Sequence, residues 1–130
     1  MPLTGYVLAG LLTASSMAVV PSSLSGLQGQ NVVAVIFAPG ADDPRFSQQT
    51  SELYHLTAQP PFQSLMVVGV AGDTVMGVTD APGALRARFG VPPTAFRFLL
   101  VGKDGRIALN QGSVVTQDRI AQAIEAMPTR

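Results

Sequence analysis

Two uninterrupted apolar runs, Asn31–Phe37 (NVVAVIF) and Leu65–Ala71 (LMVVGVA), limit the folds open to this chain more than any other feature. Continuous runs rich in β-branched residues, the first closed by Pro39-Gly40 and the second preceded by Pro60-Pro61, suit strands buried on both faces. Between them, Asp43 followed by Pro44 is a helix start: a carboxylate as N-cap, then proline where its missing N–H costs nothing. The spacing predicts a helix to about Thr57, with Phe46, Thr50, Leu53, Tyr54 and Thr57 on one face. His55 falls roughly 180° from Phe46 and is expected in solvent, a surface residue rather than a catalytic one. Strand, helix and strand in this order imply a parallel pair joined by a right-handed crossover.

The second half changes pattern. Asp80 is expected to cap a short helix through Phe89, with Pro82 in its first turn and Gly90 as its stop. Pro92-Pro93 lead into Phe96–Val101, the Lys103-Asp104-Gly105 turn and Arg106–Leu109, which together make a hairpin. Thr116 then caps a helix in which Ile120, Ile124 and Met127 recur on one stripe before Pro128 ends it, Met127 filling space in the core. The order β-α-β-α-β-β-α matches an α/β, thioredoxin-like three-layer sandwich with a mixed sheet of about four strands.

Residues 31–130 form the expected domain, and residues 1–30 an apolar segment with a linker. Tyr6–Val20 carries no charge and is shorter than the ~20 residues of a spanning helix. Ser16 and Ala18 give a small-x-small pattern ahead of Pro21-Ser22-Ser23, which reads as an export signal, although the terminal amine is the sole positive charge before it. The expectation is a periplasmic or secreted domain with no membrane span after processing. The alternative is an apolar tail packed on a cytoplasmic domain. Ser22–Gln30 has the composition of a linker.

A chain of 130 residues with 47% hydrophobic and 12% charged residues suits one packed core. Its net charge of zero gives no electrostatic hold on a polyanion, so nucleic acid is not an expected partner. Charge is nonetheless uneven. Met1–Ala41 has none, Asp42–Asp80 holds five acids against Arg45, and Ala81 onward holds seven bases against three acids, so the halves are expected to attract each other, as solvated surface charges interleaved by the fold rather than as a functional dipole. The absence of cysteine excludes disulfides, thiolate nucleophiles and cysteine-ligated metals, and one histidine excludes a two-histidine zinc motif. No cofactor is expected.

Several motifs run in order along the domain: Phe37-Ala38-Pro39, Asp42-Asp43-Pro44, Leu85-Arg86-Ala87-Arg88-Phe89-Gly90-Val91, Leu100-Val101-Gly102-Lys103-Asp104-Gly105, and Ile124-Glu125-Ala126-Met127-Pro128 with Arg130. Through these the chain resembles the DUDES domains, a peroxiredoxin-like and thioredoxin-like family of undefined activity found in bacterial exported proteins and animal extracellular-matrix proteins. It departs where the family tends to be basic, at Ile107, Leu109 and Asn110, and where a second Met would precede Arg130, at Thr129. The resemblance implies the thioredoxin-like fold and an extracytoplasmic setting.

It also shows what the chain lacks. Laid on thioredoxin, the two redox positions fall on Ala41 and Pro44; laid on a peroxiredoxin, the peroxidatic position falls near Phe46. None is a nucleophile. Arg97 stands at the entrance of the third strand, one residue out of the register of the peroxiredoxin arginine, which on a strand means the opposite face. Gly102-Lys103 is a hairpin turn rather than a phosphate loop, because Asp104 follows the lysine. No Gly-x-Ser-x-Gly elbow is present. Asp42 and Asp43 are neighbours, and one is needed as a cap.

The expected candidate face is therefore Phe37, Pro39, Asp42, Asp43, Arg45 and Arg97, beside a helix N-terminus that favours anions. The favoured reading is a non-catalytic domain that binds an unidentified protein partner or small ligand. The alternative is an enzyme with a cysteine-free site in which Asp43 or Arg97 acts as acid, base or clamp. A deep pocket uniting Asp43 and Arg97 would favour the enzyme, and an apolar patch around Phe37 and Pro39 would favour binding. Oligomeric state is not encoded in any motif.

Overall fold

A computed structural model describes residues 23–27 and 30–127. The elements are α1 (Leu24–Leu27), β1 (Val33–Ala38), α2 (Pro44–Thr57), a 3-10 turn (Pro60–Phe62), β2 (Met66–Ala71), β3 (Thr74–Met76), α3 (Pro82–Phe89), β4 (Arg97–Val101), β5 (Ile107–Gln111) and α4 (Gln117–Glu125). The apolar run Tyr6–Val20 and the export pattern at Ser16 and Ala18 lie outside the described residues. Among those residues, no helix is long and apolar enough to cross a membrane.

The strands form one sheet in the order β3-β2-β1-β4-β5. β1 runs parallel to β2 and antiparallel to β4, and the two outer pairs are antiparallel. This mixed α/β sandwich is broadly consistent with the expected thioredoxin-like arrangement. It has five strands rather than about four. The addition is β3, three residues that fold back on β2 through Gly72 at φ 59°. So short an edge strand carries too little alternation to stand out from a turn.

Alternation along β1 builds two cores. Ala34, Ile36 and Ala38 join Phe98 and Leu100 beneath Phe46, Leu53 and Leu56 of α2 and Ile120 of α4. Val33, Val35 and Phe37 face the other way, with Val68, Val70 and Leu99, against Leu24 of α1 and Leu85 of α3. Helices therefore cover both faces, and all of β1 is buried. Each large aliphatic side chain so enclosed contributes ~1.5–3 kcal/mol.

Local signals account for most boundaries. Asp43 caps α2 with Pro44 next, Gly90 ends α3 in the left-handed region at φ 67°, and the Thr116 hydroxyl accepts from the Arg119 N–H at the start of α4. His55 is exposed as expected, and Ile124 and Met127 pack against the Ile120 core. Gly105, at φ 84°, closes the β4–β5 hairpin, with its N–H on the Gly102 carbonyl at 2.9 Å.

Three expectations need correction. The buried stripe of α2 is Phe46, Gln49, Leu53 and Leu56, while Tyr54 is 63% exposed. Gln49 turns inward because both ends of its amide are bonded to the main chain of Val115, so its burial leaves nothing unsatisfied. Asp80 does not cap α3: Ala81 is the N-cap, and the Asp80 carboxylate instead accepts the Leu24 N–H at 2.7 Å. Part of the segment read as linker is thus the helical turn α1, whose Leu24 is fully buried.

The acidic and basic halves are not joined by ion pairs among the described residues. The two present are local, Asp43 with Arg45 and Asp104 with Arg106. First-half acids bind main-chain N–H groups instead: Asp80 that of Leu24, and Glu52 that of Gln117 in the first turn of α4, at 2.7 Å each. A carboxylate there complements both the orphan donors and the helix dipole.

Candidate functional site

The C-terminal end of β1 runs through Pro39-Gly40-Ala41-Asp42 into the first turn of α2. Pro39, Ala41 and Asp42 are exposed. Asp43 Oδ1 accepts the Arg45 main-chain N–H at 2.9 Å and the Arg45 Nε–H at 3.0 Å, and its Oδ2 lies 2.7 Å from Arg45 Nη2. The side-chain hydrogen bond to Arg45 holds the Asp43 carboxyl below the usual carboxylate range and raises the guanidinium in turn. Arg45 also stands 5.1 Å over the ring of Phe96, which is buried just before β4. Each charge is already engaged by its neighbour, so neither is poised as an acid or base.

The other candidates disperse. Phe37 is fully buried and meets Phe89 edge to face at 6.0 Å, so it supports the face from within. Arg97 pairs with Phe37 across β1 and β4 and therefore lies on the α1/α3 side of the sheet. Its Nη1 donates to Asn110 Oδ1 at 2.9 Å, toward β5. The residue beside the start of α2 is Phe96, one position earlier and so on the other face of the sheet from Arg97.

Arg86 is the positioning residue that sequence reasoning did not single out. Its Nη2 donates to the Gly72 carbonyl at 2.9 Å and the Ala38 carbonyl at 3.4 Å, joining the ends of β2 and β1 under the candidate loop. A cation bound to carbonyls leaves no mark in charge patterning. Ala41 and Pro44, at the entry to α2, present no reactive group. Phe46 is buried, close enough that a methyl placed on Gly69 would lie 3.2 Å from its Cζ.

From Ala41 an open groove of about 480 Å³ follows the outer side of α2, between Phe46, Thr50, Ser51, Tyr54 and His55. It offers aromatic surface and hydroxyls, with Tyr54 its most exposed aromatic. Among the described residues no group of three or more His, Cys, Asp or Glu side chains could hold a metal ion. The arrangement can bind apolar or hydrogen-bonding groups; Ser51 stands one helical turn before His55, but among the described residues no hydrogen bond joins a groove hydroxyl to that imidazole, and the Thr50 hydroxyl donates to the Phe46 carbonyl.

The model of a family described as a domain of unknown function (DUF4174) matches residues 23–130. The match begins at the residue before α1, so it takes in the turn that Asp80 anchors. No curated protein and no solved structure matches the chain significantly.

Proposed function

The chain belongs to the DUF4174 family, and we propose that its domain is a non-catalytic, thioredoxin-like binding domain of the DUDES type that works in the cell envelope. The ligand or protein partner meets the exposed Pro39–Asp42 loop and the groove along α2. The observation that carries this reading is the mutual engagement of Asp43 and Arg45 beside an open groove whose hydroxyls, among the described residues, have no hydrogen-bonded base. The enzyme alternative, with Asp43 or Arg97 as acid, base or clamp, would be favoured by a pocket that unites the two. The Arg97 bond to Asn110, on the opposite side of the sheet, weighs against it. The envelope setting rests on the export pattern at Ser16 and Ala18 and on the DUDES resemblance.

The test is in-cell photocrosslinking in the native host, with the photoreactive residue placed at Ala41, at Tyr54 or at exposed Ala84 of α3 as control. A discrete adduct in the envelope fraction from Ala41 and Tyr54, and none from Ala84, is expected. Adducts indifferent to position, or a chain retained intact in the cytoplasm, would overturn the reading.

A further inference from the structure

A second surface, distant from α2 in the sheet order, carries its own signal. β5 is an edge of the sheet, so alternate main-chain N–H and C=O groups of Ile107–Gln111 face no neighbouring strand. Natural edges are blunted by brevity, lysine or proline. β3, at the other edge, is three residues long. β5 has five residues (IALNQ) with no charge and no proline, Ile107 is 48% exposed, and the register shift at Leu100/Val101 lies at its turn end.

Alongside this edge, between β5 and α4, runs a groove of about 390 Å³ floored by Leu109, Ala123 and Met127 and lined by the charged residues Asp104, Arg106 and Arg119. Arg106 is 89% exposed and only loosely paired, 3.8 Å from Asp104, and Arg119 has no ion pair among the described residues. Two cations against the one carboxylate of Asp104 leave the groove net positive over its apolar floor, which complements an occupant that is apolar in the middle and acidic at its ends.

The spacing of the cations sets the pattern. Arg106 stands at the Met127 end of the groove: its carbonyl accepts the Gly102 N–H, and a methyl on Gly102 would lie 3.6 Å from Met127 Sδ. Arg119 precedes Met127 by a little over two turns of α4, about 12 Å along the axis. An extended chain covers that length in roughly four residues, an even number that keeps both end side chains on one face.

We propose that β5 and this groove receive an extended segment of a partner protein, which adds to the sheet as a further strand. It places an apolar residue on Leu109 and Ala123, midway along the groove, with acidic residues two positions before and two after it facing Arg106 and Arg119. A second copy fits less well. Antiparallel self-pairing about Leu109 sets Arg106 opposite Gly112 and supplies no acid.

The probe is a fluorescein-labelled Thr-Glu-Thr-Leu-Thr-Glu-Thr peptide, followed by anisotropy and by amide NMR of the full chain. Saturable binding is expected, with shifts at Ile107–Gln111 and Ala123–Met127. Arg119→Glu should weaken it about tenfold. A peptide with lysine for glutamate should recover binding to the Arg106→Glu/Arg119→Glu variant. Main-chain N-methylation of the peptide, which removes strand pairing and leaves its side chains, should abolish binding.

Absence of saturation at millimolar peptide, indifference to N-methylation, or shifts confined to Ala41–His55 would overturn the proposal. So would β5 amide shifts that grow with protein concentration in the absence of peptide, which would assign the edge to a second copy.

Discussion

The side-chain amide of Gln49 and the main chain of Val115 close a two-bond ring inside the core. Gln49 Nε2 donates to the Val115 carbonyl at 2.8 Å, and the Val115 N–H donates to Gln49 Oε1 at 2.7 Å. The amide stands in for the strand neighbour that Val115 lacks and ties α2 to the segment before α4. Gln49→Leu keeps most of the volume but orphans two buried main-chain groups, each at about 1–3 kcal/mol, so a loss of about 2–4 kcal/mol is expected. Urea unfolding measures it; a loss below about 1 kcal/mol would mean that water takes over both bonds.

The Asp43 cap has a pH signature. The hydrogen bond from Arg45 lowers the folded-state carboxyl, so the cap's contribution is present above the ordinary carboxylate range and is lost as pH falls through the lowered folded value. Arg45→Gln should move the Asp43 midpoint, followed by carboxyl carbon NMR, upward. An unchanged midpoint would assign the shift to something other than Arg45.

The docking of α1 rests on the Asp80 carboxylate and on fully buried Leu24, with Leu27 partly buried beside it. Asp80→Ala removes the acceptor of the Leu24 N–H and should cost about 1–2 kcal/mol, and Leu24→Ala, at a fully buried site, about 2–5 kcal/mol. Both should speed amide exchange in Leu24–Leu27 well before the β1 amides respond. Equal acceleration in β1 would show that α1 and the sheet open as one unit.

The thioredoxin-like reading makes a direct claim about Ala41 and Pro44. Ala41→Cys with Pro44→Cys should create a pair that closes into a disulfide under mild oxidation, at a helix N-terminus that favours thiolate. Thiol titration and intact mass would show both thiols consumed within one chain. Two thiols still titratable would show that these positions are not the counterparts of the redox pair.

Signals contained in short stretches of sequence were legible. Val33–Ala38 and Met66–Ala71 are strands because buried parallel strands need continuous apolar runs, and Asp43-Pro44 is a cap because both residues act within one turn. Roles that depend on distant partners were hidden. Gln49 is polar, and nothing near it shows that Val115 will complete its amide; Asp80 sits where a cap belongs, yet is drawn to Leu24, 56 positions away. At the candidate site, the Pro39–Asp42 loop was marked by Pro39-Gly40 and the Asp43-Pro44 cap, whereas the side of the sheet that Arg97 takes is set by its pairing with Phe37. The burial of Phe37 against Phe89 and the clamp by Arg86 depended on how α3 crosses the sheet.

That clamp bears on how any partner engages the Pro39–Asp42 loop. With the carbonyls of Ala38 and Gly72 tethered from below by one guanidinium, the loop's foundations are set before a partner arrives, so little ordering entropy remains to be lost on contact. Such a surface discriminates by shape and by how long a complex lasts, rather than by moulding itself to whatever it touches.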